Sequence, residues 1–457
     1  MSLNPEIVKK AIQPPVNLLK RVDFFNLSFT KLITRKPEKT SEELDQAFYS
    51  LSRWLNNQEN SNYAAILVRE TVEFLQNNEQ DILSESHNII HDAEAITCLL
   101  DDKGREIEID NATIFIATAV TLLHDLGRTT EKIVIDQPLE NQTQLHHDQL
   151  SYRAARKILK EISKDSELPE DIKSALELLI FHGLRHSGEL NQKPYIGLSY
   201  DLDRRQLTGS TTVVRDIPFF GGWQNISLST DEIKNWPAGY LYPHTFFLQQ
   251  RFASNIFRDE PLKEKHQLDE VYNKLAVEGS TIVLLACGDN QDAKELAFDV
   301  DLGLVDIPET SITDKGGRRW WPKRRLPAGT LAKSAEEARN IEELINSKPL
   351  SKIDFEYIME SYLEAYTTFI DENHLYQIKE SIREFDQDDR IKWARVLFYS
   401  HRKNQERYAH RIKIFWQEKN RGSFLGKIAE PFIDVLAAKH HQRENLEKVF
   451  KSYWSNI

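Results

Sequence analysis

Cysteine is scarce in this chain. Cys98 and Cys287 are the only two among 457 residues. That excludes a disulfide framework and a cysteine-rich zinc site, and it fits a reducing compartment. A surplus of positive charge is also missing. Lys and Arg total 59 against 71 Asp and Glu, a net charge of −12. A uniformly basic nucleic-acid coat is thereby excluded, although local basic patches are not. No long hydrophobic run occurs either. The longest, Ala112 to Leu123, is interrupted by three threonines and is too short to span a bilayer. The opening residues, Met1 to Lys10, carry no apolar core of an export signal. The expectation is a cytoplasmic protein with no membrane segment. Core-forming residues are plentiful, with 40% hydrophobic against 28% charged, which excludes a disordered chain.

What is present is mostly helical pattern. Apolar residues recur every three to four positions, or strong helix formers dominate, over 41–56, 61–78, 87–100, 112–126, 148–163, 170–186, 244–257, 265–278, 333–346, 354–370, 374–384, 390–419 and 429–453. Pro and Gly cluster between them at 193–197, 218–222, 237–243 and 316–329. Strand pattern is confined to two short candidates, Thr211–Val214 and Ser280–Leu285. The fold class expected is all-α, with boundaries near residue 80 and within 302–330.

Histidine is concentrated. Of 14 in the chain, seven lie between residues 87 and 186: His87, His91, His124, His146, His147, His182 and His186. Even spacing would place about three there. Imidazole is the commonest metal ligand and titrates near neutrality. His87 and His91 stand four apart, as do His182 and His186, so on a helix each pair shares a face. His124-Asp125 follows a helix that is apolar nearly all round and precedes Leu126-Gly127-Arg128. Two ionisable groups at the end of a buried helix need partners, and one divalent cation would serve both. Gly127 is placed to stop the helix there.

These residues resemble the HD-domain metal phosphohydrolase superfamily, whose pattern is a histidine, then His-Asp ending a hydrophobic helix, then a distant Asp. The matches are Ser86-His-Asn-Ile-Ile-His91, then Leu122-Leu-His-Asp-Leu-Gly-Arg128, then Tyr200-Asp-Leu-Asp-Arg-Arg-Gln-Leu-Thr-Gly209. The resemblance covers residues 87–222. It implies His91, His124, Asp125 and Asp203 as metal ligands, with His87 second to His91. Asp201 and then Asp289 stand behind Asp203. Segments around His147 and Leu179-Ile-Phe-His182 resemble helices that carry further histidines in the family. His147, His182 and His186 are therefore candidates for a second metal or for general acid work, and Asp125 counts among the catalytic groups.

Such a His/His/Asp/Asp set suits one or two divalent ions such as Mn²⁺, Fe²⁺, Ni²⁺, Mg²⁺ or Zn²⁺. The activity implied is hydrolysis of a phosphoester, in a nucleotide or other phosphorylated small molecule, by metal-activated water. Phosphoryl chemistry also needs cations against the phosphate oxygens. Arg128, Arg204 and Arg185 are the candidates, with Arg204 first, Arg185 and Arg215 on neighbouring segments, and His87 a further candidate for binding the substrate. Other readings are a di-iron oxygenase of the same fold, a nuclease and a non-catalytic nucleotide sensor.

The organisation expected is a helical N-terminal segment (1–80), an HD-type domain (81–300), a basic Pro/Gly loop (301–330) and a helical C-terminal region (331–457). Asp216 to Trp223 reads as core packing at a helix exit, or as a nucleobase wall. Two segments are basic. Residues 315–325 hold six Lys or Arg, no acid and two tryptophans. Residues 390–421 hold ten Lys or Arg and two Glu. Each reads either as a polyanion contact, single-stranded nucleic acid included, or as a face serving the protein's own acidic surface and solvent. A homo-oligomer is compatible with the sequence, which does not itself require one.

Overall fold

The computed structural model describes residues 41–77, 89–100, 109–124, 126, 151–152, 155, 168–184, 193–205, 209–210, 265–288, 329–366, 376, 379–380, 382–417, 422–455 and 457. Of these, 85% are helical and none belongs to a sheet, so the fold is all-α. The chain divides into two compact units. One is Met1–Leu202 with Ala253–Asp259 and Phe415–Val435, and the other is Asp203–Phe252 with Glu260–Ile414 and Leu436–Ile457. Of the boundaries expected from sequence, residues 78–81 and 301–328 lie outside the described residues.

The first unit is organised round one helix. Its elements are α1 (Ser41–Leu55), α2 (Gln58–Asn77), α3 (Ile89–Thr97), α4 (Asn111–Leu123), α5 (Glu170–Leu184) and most of α6 (Pro194–Arg205). α4 packs against α1, α2, α3 and α5. A helix with four neighbours must be apolar on nearly every side, and Ala112–Thr118 and Val120–Leu123 are all buried. Its start is fixed by Asp110, whose carboxylate accepts the Ala112 amide at 2.7 Å. The other oxygen of Asp110 accepts the Ser52 hydroxyl of α1 at 2.9 Å. α1 itself is amphipathic, burying Leu44, Ala47, Leu51 and Leu55 at three- and four-residue intervals.

α6 falls where the Pro and Gly of 193–197 suggested a break. Pro194 stands at the first helical position, where its missing amide costs nothing. Its end is tied to α1, because Lys193 Nζ reaches Asp45 at 2.5 Å and the Tyr195 hydroxyl donates to Asp45 at 2.7 Å. The Phe48 and Tyr195 rings stack at 4.2 Å.

The second unit contains α7 (Lys265–Cys287), α8 (Thr330–Ile345), α9 (Lys352–Tyr366), α10 (Gln387–Phe415) up to Ile414, the end of α11 (Phe424–Gln442) and α12 (Glu444–Tyr453). Its core is aromatic, with Phe355, Tyr362, Trp393, Phe398, Phe450 and Trp454 buried together. α7 and α8 approach closely through Ser334, whose hydroxyl donates to the Val277 carbonyl at 3.0 Å across the pair.

Two expectations from sequence are corrected here. Ser280–Leu285 is not a strand but the last part of α7. All six residues are buried, and Thr281 donates back to the Val277 carbonyl at 2.7 Å, so packing overrides the β-branched preference. The single helix expected over 429–453 is two, meeting at Arg443, which precedes α12. Thr211–Val214 and Asp216–Trp223 lie outside the described residues.

Candidate functional site

α3, α4 and α5 each carry a histidine of the expected set, and all three rings are buried: His91, His124 and His182. α4 is the common neighbour, packing on both α3 and α5. His124 stands directly after Leu123 as the C-cap of α4, in right-handed helical conformation. Its Nδ1 lies 2.7 Å from the Thr121 carbonyl oxygen. A carbonyl only accepts, so Nδ1 carries a proton and donates it to Thr121. A backbone carbonyl orients the ring in the same way in histidines that ligate a metal through Nε2.

His182 lies one residue before Gly183 near the end of α5. Its ring meets Phe181 edge-on at 5.2 Å, and Phe181 in turn meets Tyr152 at 4.3 Å. Gly183 faces α4 at Val120. A Cβ built on it would stand 2.5 Å from Val120 Cγ2.

Two buried carboxylates stand outside the set expected from sequence. Asp92 and Glu94 follow His91 on α3, a helix of nine residues that are all buried. Both engage partners in the folded chain, as burial of ionisable groups requires. The signal was available in Ile89-Ile-His-Asp-Ala-Glu-Ala-Ile-Thr97, where three ionisable groups interrupt an otherwise apolar nonapeptide. The role of the Thr121 carbonyl was also missed, because any residue type supplies one.

The remaining members of the set cannot be placed with them. His87, Asp125, Arg128, His146, His147, Arg185, His186, Arg215 and Asp289 lie outside the described residues. Asp201, Asp203 and Arg204 stand on α6, but their side chains are likewise outside. Among the described residues, no group of three or more His, Cys, Asp or Glu is arranged to hold a metal ion. Of the four ligands implied by the resemblance, the side chains of only His91 and His124 are described. Those two fit a divalent cation in chemistry, being buried imidazoles, one of them oriented by a backbone carbonyl through Nδ1.

The basic helix tells a different story. On α10, Lys392 pairs with Asp389 at 3.1 Å, Arg395 with Glu342 at 3.6 Å, Lys403 with Glu337 at 3.4 Å and Arg407 with Glu278 at 2.7 Å. Arg390 donates to the Leu350 and Phe385 carbonyls at 3.3 and 2.5 Å. Much of the positive charge of 390–407 is therefore engaged within its own unit, which favours the structural reading of that segment over a polyanion contact. The 315–325 segment lies outside the described residues. Among the described residues, no helix is long and apolar enough to cross a membrane. No family model matches the chain, and no curated protein or solved structure matches it.

Proposed function

We propose that the chain is a metal-dependent phosphohydrolase of the HD type, acting on a phosphoester of a nucleotide or related small molecule. The observation that supports the reading most is His124. It ends a buried helix, it is followed by Asp125, and its Nδ1 bond to the Thr121 carbonyl fixes the ring orientation as in a histidine that ligates through Nε2. His91 and His182, buried on two of the four helices that pack against α4, extend that support.

In this reading His91, His124, Asp125 and Asp203 hold one divalent cation, and His147, His182 and His186 are available for a second or for proton transfer. A bound cation supplies a water of lowered pKa and polarises the phosphoryl group. Two carboxylates balance the charge of a dication and leave two imidazoles neutral, which suits Mn²⁺, Fe²⁺ or Ni²⁺ as well as Mg²⁺ or Zn²⁺. Arg128 and Arg204 oppose the charge on the phosphate oxygens.

The reading is tested by metal binding. After chelator treatment, the wild-type chain should take up Mn²⁺ or Fe²⁺ stoichiometrically, and His91→Ala and His124→Ala should each abolish that uptake while remaining folded. Unchanged uptake in both variants would remove these histidines from the site. Two tightly held irons with a mixed-valence signal would transfer the assignment to the oxygenase reading.

A further inference from the structure

We propose that Gly183 is a positioning residue, setting the separation of α4 and α5 and thereby the placement of His182 relative to His124. The inference rests on the phosphohydrolase reading and deepens it. The geometry is local to one unit. Val120 and His124 are one turn apart on α4 and share a face. Gly183 meets that face at Val120, and His182 is its immediate neighbour on α5. Glycine is the poorest helix former after proline, yet one stands inside α5 where it meets Val120.

The contact has no slack. An added Cβ would lie 2.5 Å from Val120 Cγ2, 3.4 Å from Cγ1 and 3.5 Å from Cβ. Val120 is buried and β-branched, so its χ1 has one strongly preferred value in a helix and the methyl cannot swing aside. Restoring an ordinary separation near 3.5 Å therefore parts the two helices by about 1 Å. A shift of that size at a catalytic group lowers turnover on the order of 100-fold. A purely structural glycine would lower stability and leave turnover per folded molecule alone.

The experiment compares the wild type with Gly183→Ala, Val120→Ala and the double variant, loaded with Mn²⁺. It reads kcat and KM per folded molecule, together with the imidazole ¹⁵N signals of the metal-free proteins. Gly183→Ala should lose kcat on the order of 100-fold with KM little changed and should shift the His182 signals. In the double variant, truncation of the Val120 side chain makes room for the added methyl. Its kcat and signals should return to those of Val120→Ala. If Gly183→Ala does not fold, the double variant against Val120→Ala carries the test, and a kcat deficit beyond tenfold overturns the proposal. Unchanged kcat and unchanged His182 signals in a folded Gly183→Ala also overturn it. Should the wild type show no metal-dependent turnover, the phosphohydrolase reading fails by itself. The imidazole signals then decide the positioning claim alone, by moving in Gly183→Ala and returning in the double variant, or by failing to do so.

Discussion

The Tyr366 hydroxyl lies 2.9 Å from His401 Nδ1 inside the second unit, and it also donates to the His401 carbonyl at 3.2 Å. Burial holds the imidazole neutral, with its pKa pushed down to about 3, and the nearby Arg443 and His440 push the same way. The unfolded chain takes up a proton near pH 6.5 that the folded chain refuses. Stability from this group is complete above pH 6.5 and is lost as pH falls from there toward 3. Between pH 7 and 5 the loss is about 2 kcal/mol. Urea unfolding at the two pH values should show it, and His401→Gln should flatten the difference. An equal slope in the variant would contradict the assignment.

Arg443 is stacked between two tyrosines in the same core. Its guanidinium lies 3.9 Å from the Tyr366 ring centre and 4.7 Å from that of Tyr408, and Nε donates to the Ala365 carbonyl at 3.1 Å. A desolvated cation on an aromatic face and a charged hydrogen bond together contribute roughly 3 kcal/mol. Arg443→Ala should lose about that much in chemical denaturation. Arg443→Lys should recover only part, since an ammonium has no planar face to stack.

Gly209 has φ +70°, and a Cβ there would stand 2.9 Å from Glu278 Oε2. That carboxylate has no freedom to retreat. Its Oε1 accepts the Ser210 amide at 3.0 Å, and Arg407 bonds both oxygens at 2.8 and 2.7 Å. Gly209→Ala should destabilise the second unit by about 1–2 kcal/mol from backbone conformation alone, and by more with the clash. Glu278→Ala should cost about 3–5 kcal/mol, because it leaves Arg407 part-buried without its carboxylate. Denaturant midpoints measure both.

The Asp110 cap predicts a smaller effect. Asp110→Ala removes the acceptor for the Ala112 amide and for the Ser52 hydroxyl. The loss should be about 1 kcal/mol, with Asp110→Asn retaining most of the cap. A thermal shift of the wild type against the two variants checks this.

The all-α class and the centre of the first unit were legible because they rest on local pattern. Ala112–Leu123 is apolar nearly all round and too short to span a bilayer, the pattern of a helix surrounded by others. Ser280–Leu285 was not legible, because Thr281, Ile282 and Val283 favour strands locally and only burial against α8 makes them helix. Pro194 marked a helix start rather than a break, a distinction that depends on Lys193 and Tyr195 finding Asp45 about 150 positions earlier in the chain. For the candidate site, the order of histidines and aspartates was readable as pattern. The orientation of His124 was not, since it depends on a main-chain carbonyl. The buried acids Asp92 and Glu94 were visible but had no motif to mark them. The basic character of α10 pointed outward in sequence, and its partners Glu278, Glu337 and Glu342 lie 50 or more residues away.

The central claim is tested most directly by following phosphate and nucleoside release from mono-, di-, tri- and cyclic nucleotides. The protein is supplied with Mn²⁺, Mg²⁺, Ni²⁺ or Fe²⁺ beside an Asp125→Ala control. The account predicts turnover with at least one metal and one nucleotide class, lost with chelator and lost in Asp125→Ala. No turnover with any metal, or turnover that survives in Asp125→Ala, would contradict it.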